Sequence, residues 1–220
     1  MFLGHIAIGL AAKRATPTVS LATWIASVQL VDLLWPFFLL AGLEHVRIAP
    51  GITAFTPLDF YDYPLTHSLV AGVVWGMAFA GGWMIVTGRR GRAALLLAAG
   101  VVSHWVLDVI SHRPDMPVLP SGPYVGLGLW NSVPATLAVE LTMFAAGLTL
   151  YVRSGAAGRR RTSFWLLVAF LLVVYAGASF GPPPPDTRTL AWSALALWLL
   201  LPWAWWADRI TNRSSLIADR

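Results

Sequence analysis

Five ionisable residues stand in strongly apolar surroundings, His5, Asp32, His67, His104 and Asp108, with His112 and Glu140 as a second rank. At the centre of a membrane span such a side chain costs about 2.5–3.5 kcal/mol on insertion scales, so each requires an account. His104, Asp108 and His112 fall at i, i+4 and i+8, and each step of four turns about 40° around a helix, so all three share one face. An imidazole nitrogen and a carboxylate oxygen one turn apart can chelate a single divalent ion. A histidine hydrogen-bonded to a neighbouring helix explains the same spacing without a metal.

The elements that must position these groups are membrane helices. Of 220 residues 57% are apolar and 11% charged, less than half the charge of a soluble domain (about 25%). Twelve tryptophans and a mean hydropathy of +0.68 agree. The composition excludes soluble, disordered, collagenous and coiled-coil chains. The absence of period-2 alternation excludes a membrane barrel. Seven apolar segments can be marked, 2–12, 18–43, 66–87, 93–111, 133–152, 163–181 and 189–207. The first is short for a span, and the rest match the roughly 20 residues needed to cross the hydrocarbon. The expected fold is therefore all-α: a polytopic helical bundle of six transmembrane helices plus a short N-terminal membrane helix, residues 1–220 forming one domain. Residues 1–12 carry no leading positive charge and Lys13 and Arg14 follow them, the reverse of a cleavable signal peptide, so the segment is expected to remain as structure. With no cysteine, disulfides and thiolate metal sites are excluded.

Basic residues cluster in alternate gaps, at 13–14, 89–92, 153–161 and 209–220, whereas gaps 44–65, 112–132 and 182–188 hold one arginine each among acids. The positive-inside rule places the basic gaps and the C-terminus in the cytoplasm of a bacterial-type inner membrane, and the acidic loops outside. The net charge of +5 is thereby read as topology, with no nucleic-acid partner. Asp108 then lies about 5 Å and His104 about 10 Å below the outer end of their helix, at 1.5 Å per residue. His5 and His67 lie in the same outer layer, with Asp32 deeper. That convergence favours one shared polar site.

Three histidines and two carboxylates without sulfur suit zinc, and less specifically manganese, iron or nickel. Five ligands exceed a tetrahedral zinc's need. Either a carboxylate bridges two ions, Asp108 being placed for that, or one acid remains free as a base. Glu140 reads as a metal ligand, as a partner orienting a ligating histidine, or as a lone carboxyl kept neutral by burial. Arg113 could hold a phosphate at the mouth of the site, or form a surface pair with Asp115 or Asp62. The loop containing Asp62, beside His67, reads as a substrate rim or as a solvated loop anchored by tyrosines. No P-loop, dinucleotide, haem or flavin fingerprint occurs.

Gly4-His5, Asp32 within Leu30-Val31-Asp32-Leu33, Thr66-His67-Ser68-Leu69 and His104-x-x-x-Asp108 together resemble the YdjM-like family of LexA-regulated, membrane-bound metal-dependent hydrolases. That family is grouped with zinc-dependent phospholipases C and single-strand-specific zinc nucleases. The resemblance covers about residues 1–125; the helices in 133–207 carry no motif. It implies that Asp32, His67, His104 and Asp108 hold one metal, that His5 helps hold a second through a bridging Asp108, and that phosphoesters are the substrates. The chain departs from the family at Val31-Asp32-Leu33-Leu34, where Asp-Leu-Asp-His is common, and at Asp62-Tyr63-Pro64-Leu65, where His-Arg-Gly precedes Thr-His-Ser.

The functional expectation is a zinc hydrolase, with one or two ions, acting on a phosphoester or lipid-like amphiphile met in the plane of the outer leaflet. Asp32 and Asp108 are its catalytic carboxylates, Asp32 doubling as the base. A proton-coupled transporter and a non-catalytic subunit with a structural metal are the alternatives. Against the former, the cytoplasmic halves of the segments hold almost no ionisable groups. Oligomeric state is not legible.

Overall fold

The computed structural model describes residues 1–154 and 161–208. In chain order its helices are α1 (Leu3–Ala15), α2 (Leu21–Val28), α3 (Leu30–Leu40), α4 (Pro64–His67), α5 (Leu69–Thr87), α6 (Arg92–Ser111), α7 (Val133–Arg153), α8 (Arg161–Phe180), α9 (Thr187–Leu195) and α10 (Leu200–Asp208). Two antiparallel ribbons decorate this all-α bundle: β1 (His45–Ile48) with β2 (Leu58–Asp62), and β3 (Met116–Pro117) with β4 (Tyr124–Val125).

Among the described residues five helical runs are long and apolar enough to cross a bilayer: α5, α6, α7, α8 and the run Thr187–Asp208 that joins α9 to α10. A sixth crossing is present if α2 and α3, bent by 54° at Gln29, count as one span. The expected seven segments are thus five, or six with the bent pair. The helix α1 has 13 residues against the roughly 20 a span needs, and it is buried inside the bundle instead. Arg159, Arg160, Arg209, Arg213 and Arg220 of the basic gaps lie outside the described residues.

Local chemistry sets the breaks that matter. The Ser20 hydroxyl caps α2 by accepting the Thr23 N–H at 3.0 Å. Gln29 leaves helical geometry (φ −109°, ψ 7°), the chain restarts, and Asp32 falls in the first turn of α3. Pro64 opens the single turn α4, and Ser68 in extended geometry closes it and caps α5 at Ala71 N (3.1 Å). Ser68 is therefore the hinge between two helices, and His67 is the last residue of the first. Helix α6 stops at Ser111, because the residue before Pro114 is barred from helical geometry and the turn unwinds toward it.

Leu3, Ile6 and Leu10 of α1 pack with Phe144 and Tyr151 of α7 and with Phe164, Leu167 and Leu171 of α8. The approach of α1 to α7 depends on Gly147, where an added Cβ would lie 2.4 Å from the Ala7 carbonyl oxygen. Gly100 does the same between α6 and α2, its missing Cβ leaving room for Ser27 Oγ, which donates to Leu97 O at 2.7 Å. Away from His5, at the far end of α1, the Lys13 ammonium meets the Asp208 carboxylate at 2.7 Å, both buried, and Asp208 also accepts the Leu21 N–H at 2.8 Å. This buried pair locks the ends of α1, α2 and α10 together.

Candidate metal centre

Five sequence-separated side chains meet at one end of the bundle. Two groups each bring three ligand atoms within 4.8 Å of one another: Asp32, His67 and His104, and His5, His104 and Asp108. The bend at Gln29 is what carries Asp32 here. It brings Asp32 Oδ1 to 3.3 Å from His67 Nε2 and 3.5 Å from His104 Nε2. One turn along α6 from His104, Asp108 Oδ2 lies 3.1 Å from the same His104 nitrogen.

The hydrogen bonds on the far sides of the rings fix which nitrogens are free. His104 Nδ1 is 2.8 Å from the Val28 carbonyl oxygen, which can only accept, so Nδ1 carries the proton. In the neutral ring Nε2 then holds a lone pair, and it is buried with no hydrogen-bond partner. His67 Nδ1 is 2.7 Å from Thr66 Oγ1, which is itself 2.7 Å from Glu44 Oε2. With Glu44 ionised, its carboxylate takes the single hydroxyl proton, so Thr66 accepts from His67 Nδ1–H and the Nε2 of His67 is also a lone pair. With both rings neutral, two unprotonated nitrogens face the Asp32 carboxylate, acceptor against acceptor, an arrangement that a proton on one ring or a cation between them resolves. The donor set fits a divalent metal of the borderline class.

Ring geometry separates the two groups. The planes of His67 and His104 are 72° apart with centroids at 5.4 Å, so their in-plane lone pairs can converge. His5 instead lies flat on His104, with centroids 3.6 Å apart and planes 4° from parallel. An ion about 2.0–2.1 Å from one nitrogen and in its ring plane is far out of plane for the other. For His5 and His104 to share an ion, His5 would have to turn out of this stack. As placed, His5 Nε2 is a hydrogen-bond partner of Asp108 Oδ1 at 3.1 Å. The same oxygen accepts from the Met1 amino group at 2.5 Å, which leaves Oδ2 for the metal side. Because His104 Nε2 belongs to both groups and has one lone pair, only one group can be complete at a time.

Glu140 belongs to neither ligand group. Its Oε2 accepts the backbone N–H groups of Phe2 (2.9 Å), Leu3 (2.8 Å) and Gly4 (3.3 Å), and so caps α1 from α7. The effect is positional: it holds the first turn of α1, and with it His5, against Asp108. The expected single face of His104, Asp108 and His112 is also corrected. The helix ends at Ser111, and His112 turns off it in extended geometry to lie against Trp130, the ring centroids 4.2 Å apart and the planes tilted by 40°. Its Nδ1 donates to Asp115 Oδ1 at 2.9 Å. Burial lowers the His112 pKa against the pull of Asp115. Burial raises that of Tyr63, a neutral donor 3.3 Å from the same carboxylate.

Arg113 is committed to carboxylates, pairing with Asp59 and, through Nε at 3.0 Å, with Asp115 Oδ2. Of the two surface partners considered, Asp115 is the one used; Asp62 pairs with His45 at 2.7 Å on the exposed ribbon. Asp32, His67, Asp108, His112 and Glu140 all line one cavity of ≈ 220 Å³.

Sequence reasoning missed Glu44, Thr66 and Asp115 as supports. The adjacent Thr66-His67 pair was a signal for the second, because a hydroxyl next to a ligating histidine can set its tautomer. Glu44 was indistinguishable from the other loop acids. Burial pushes its pKa up, partly offset by the two bonds from Thr66.

No family model, curated protein or solved structure matches this chain. The site and the bundle define it as a membrane helical protein with a buried histidine–aspartate cluster able to coordinate a metal ion, the general form of a metal-dependent membrane enzyme.

Proposed function

We propose that the protein is a membrane-embedded zinc hydrolase that cleaves phosphoesters at the level of the outer leaflet. The observation that carries the metal is the convergence of the Nε2 atoms of His67 and His104 on the Asp32 carboxylate, with Thr66 and the Val28 carbonyl holding the Nδ1 sides of the two rings. The hydrolytic chemistry rests on the resemblance of the four motifs to the YdjM-like family. The outward placement rests on the alternation of basic gaps.

Asp32, His67 and His104, with Asp108 through Oδ2, would hold one ion; the shared Nε2 of His104 favours one over two. When bound, that ion supplies a Lewis acid for a phosphoryl oxygen and lowers the pKa of water in the site. Among these ligands Asp32 alone keeps an appreciable part of its side chain open, 27%, toward the cavity, and serves as the base that takes the water proton. His5 holds Asp108 in register from the side away from the ion. His112, its Nδ1–H held by Asp115, has an unprotonated outer nitrogen in the neutral ring; it would take up the proton that Asp32 removes from water and deliver it to the departing alkoxide.

The test is elemental analysis of detergent-purified protein reconstituted with zinc at neutral pH, followed by a phosphodiester assay. One equivalent of zinc, lost in a folded His104→Ala variant together with hydrolysis, is the expected result. Protein that stays metal-free after reconstitution would overturn the reading.

A further inference from the structure

The cavity over the metal centre has walls that the chemistry above does not use. The indole N–H groups of Trp35 and Trp130, both residues more than nine-tenths buried, have no protein partner, and both residues line the cavity. Two N–H donors beside a cation site suit the oxygens of a phosphate. Glu140, which lines the same cavity, has its Oε1 buried without a partner and able to accept from a hydroxyl or ammonium on the same head group.

The cavity adjoins a second hollow of ≈ 650 Å³. Phe55, Thr56, Leu58, Ala178 and Ser179 border both. That hollow runs between the 50–58 loop, the last two turns of α8 and the prolines at 182–184. Its lining is mostly apolar, prolines, glycines and alanines with the hydroxyls of Thr53, Thr56, Ser179 and Ser193 among them. Gly177 and Ala178 are exposed on its side, and an added Cβ at Gly177 would meet nothing within 4 Å. The neighbouring positions Val173 and Phe180 on α8 are 70% and 67% exposed, as befits a helix facing lipid. The cavity over the metal centre thus adjoins a mostly apolar trough at the edge of a lipid-facing helix.

We infer that the substrate is a membrane amphiphile, its phosphate and a donor-bearing head in the inner cavity and its hydrocarbon chain along the trough between the 50–58 loop and α8. The inference rests on the hydrolase reading for the phosphate end and on the shared border of the two hollows for the chain. Entry is sideways from the bilayer, so the chain never leaves apolar surroundings. The trough sets which chains bind, and the metal centre sets which bond breaks.

The experiment uses full-length, zinc-loaded protein in lipid nanodiscs and a non-hydrolysable probe, a twelve-carbon alkylphosphonate with a photoreactive diazirine at the chain end. Crosslinks mapped by peptide mass spectrometry should fall in 50–58 and 174–184. Excess dodecylphosphonate should compete about tenfold or more better than butylphosphonate, since only the longer chain fills the trough. Gly177→Leu, which fills the trough without a backbone clash, should cut the crosslink yield there about tenfold, with zinc uptake reporting the fold; Ala178→Leu serves if that variant does not fold. Crosslinks spread over α5 and the other lipid-facing helices, or trough crosslinks untouched by a folded trough-filling variant, would overturn the inference. The outcomes separate the two proposals. Specific trough labelling without phosphoester turnover removes the hydrolase and keeps the chain site, whereas turnover of short phosphodiesters with scattered labelling does the reverse.

Discussion

Replacing Glu44 by glutamine changes one atom and should cost metal affinity through two intervening groups. Glu44 Oε1 accepts the Thr66 N–H at 2.8 Å, so in the variant the amide oxygen must stay there and the NH2 group must face Thr66 Oγ1. The hydroxyl then accepts from the amide and gives its own proton to His67 Nδ1, 2.7 Å away. The imidazole is driven into the tautomer with Nε2–H, and that nitrogen donates to Asp32 instead of binding an ion. Losing such an orienting partner costs about 10–100-fold in metal affinity, or about 1.4–2.7 kcal/mol. Thr66→Val breaks the chain without enforcing the wrong tautomer and should cost less. Protonating Glu44 reverses the same proton chain. Burial holds its pKa above the ordinary value, so wild-type affinity should fall in acid at a higher pH than an exposed glutamate would give, a step absent from Glu44→Gln. For the metal-free fold the sign is opposite. A carboxyl with a raised value contributes stability below its unfolded pKa that is lost as pH rises through the folded one, so Glu44→Gln should melt slightly higher at neutral pH while binding zinc more weakly. The assay is chelator competition for zinc in detergent at pH 7, with thermal melting in parallel. Affinity within twofold of wild type in a folded Glu44→Gln protein would refute the tautomer argument.

Other expectations follow from the same geometry. Gly147→Val puts side-chain atoms against the Ala7 carbonyl and should destabilise the protein by about 1–3 kcal/mol, seen as a lower melting temperature, and weaken zinc binding as α1 is pushed away. Asp208→Ala should destabilise more than Lys13→Met, because it strands a buried ammonium and also frees the Leu21 N–H; about 3–5 kcal/mol is the scale for breaking such a pair, and chemical denaturation reads it. If His112 is the proton donor, His112→Gln and Asp115→Asn should slow hydrolysis of alkyl phosphodiesters by 10²–10⁴-fold, about the range of general acid catalysis, while nitrophenyl esters, which need no acid, lose little. Equal losses with both leaving groups would remove His112 from that role.

Composition together with the absence of period-2 alternation determined that this is a helical membrane bundle, since in lipid a chain with 11% charged residues satisfies its backbone polar groups only in helices or a closed barrel, and a barrel needs that alternation. Rarity made His5, Asp32, His67, His104 and Asp108 visible, because an ionisable group is conspicuous in an apolar run, and the i, i+4 spacing of His104 and Asp108 survived into the structure since it lies within one helix. What depended on breaks in regular structure was not legible. Segment 18–43 reads as one span, and only the packing of α2 on α6 shows that it bends at Gln29 and lifts Asp32 to His67 and His104. His112 lay on the helical face by count, yet the helix stops one residue short of it. Glu140 read equally as a ligand, a histidine's partner or a lone neutral carboxyl, and the tertiary structure made it the cap of α1, where the unsatisfied N–H groups of a helix start meet a buried carboxylate. Sequence names the residues that cannot be in a membrane without a purpose. Which purpose each serves is decided by the hydrogen bond on the far side of each ring and carboxylate, and those partners come from other helices.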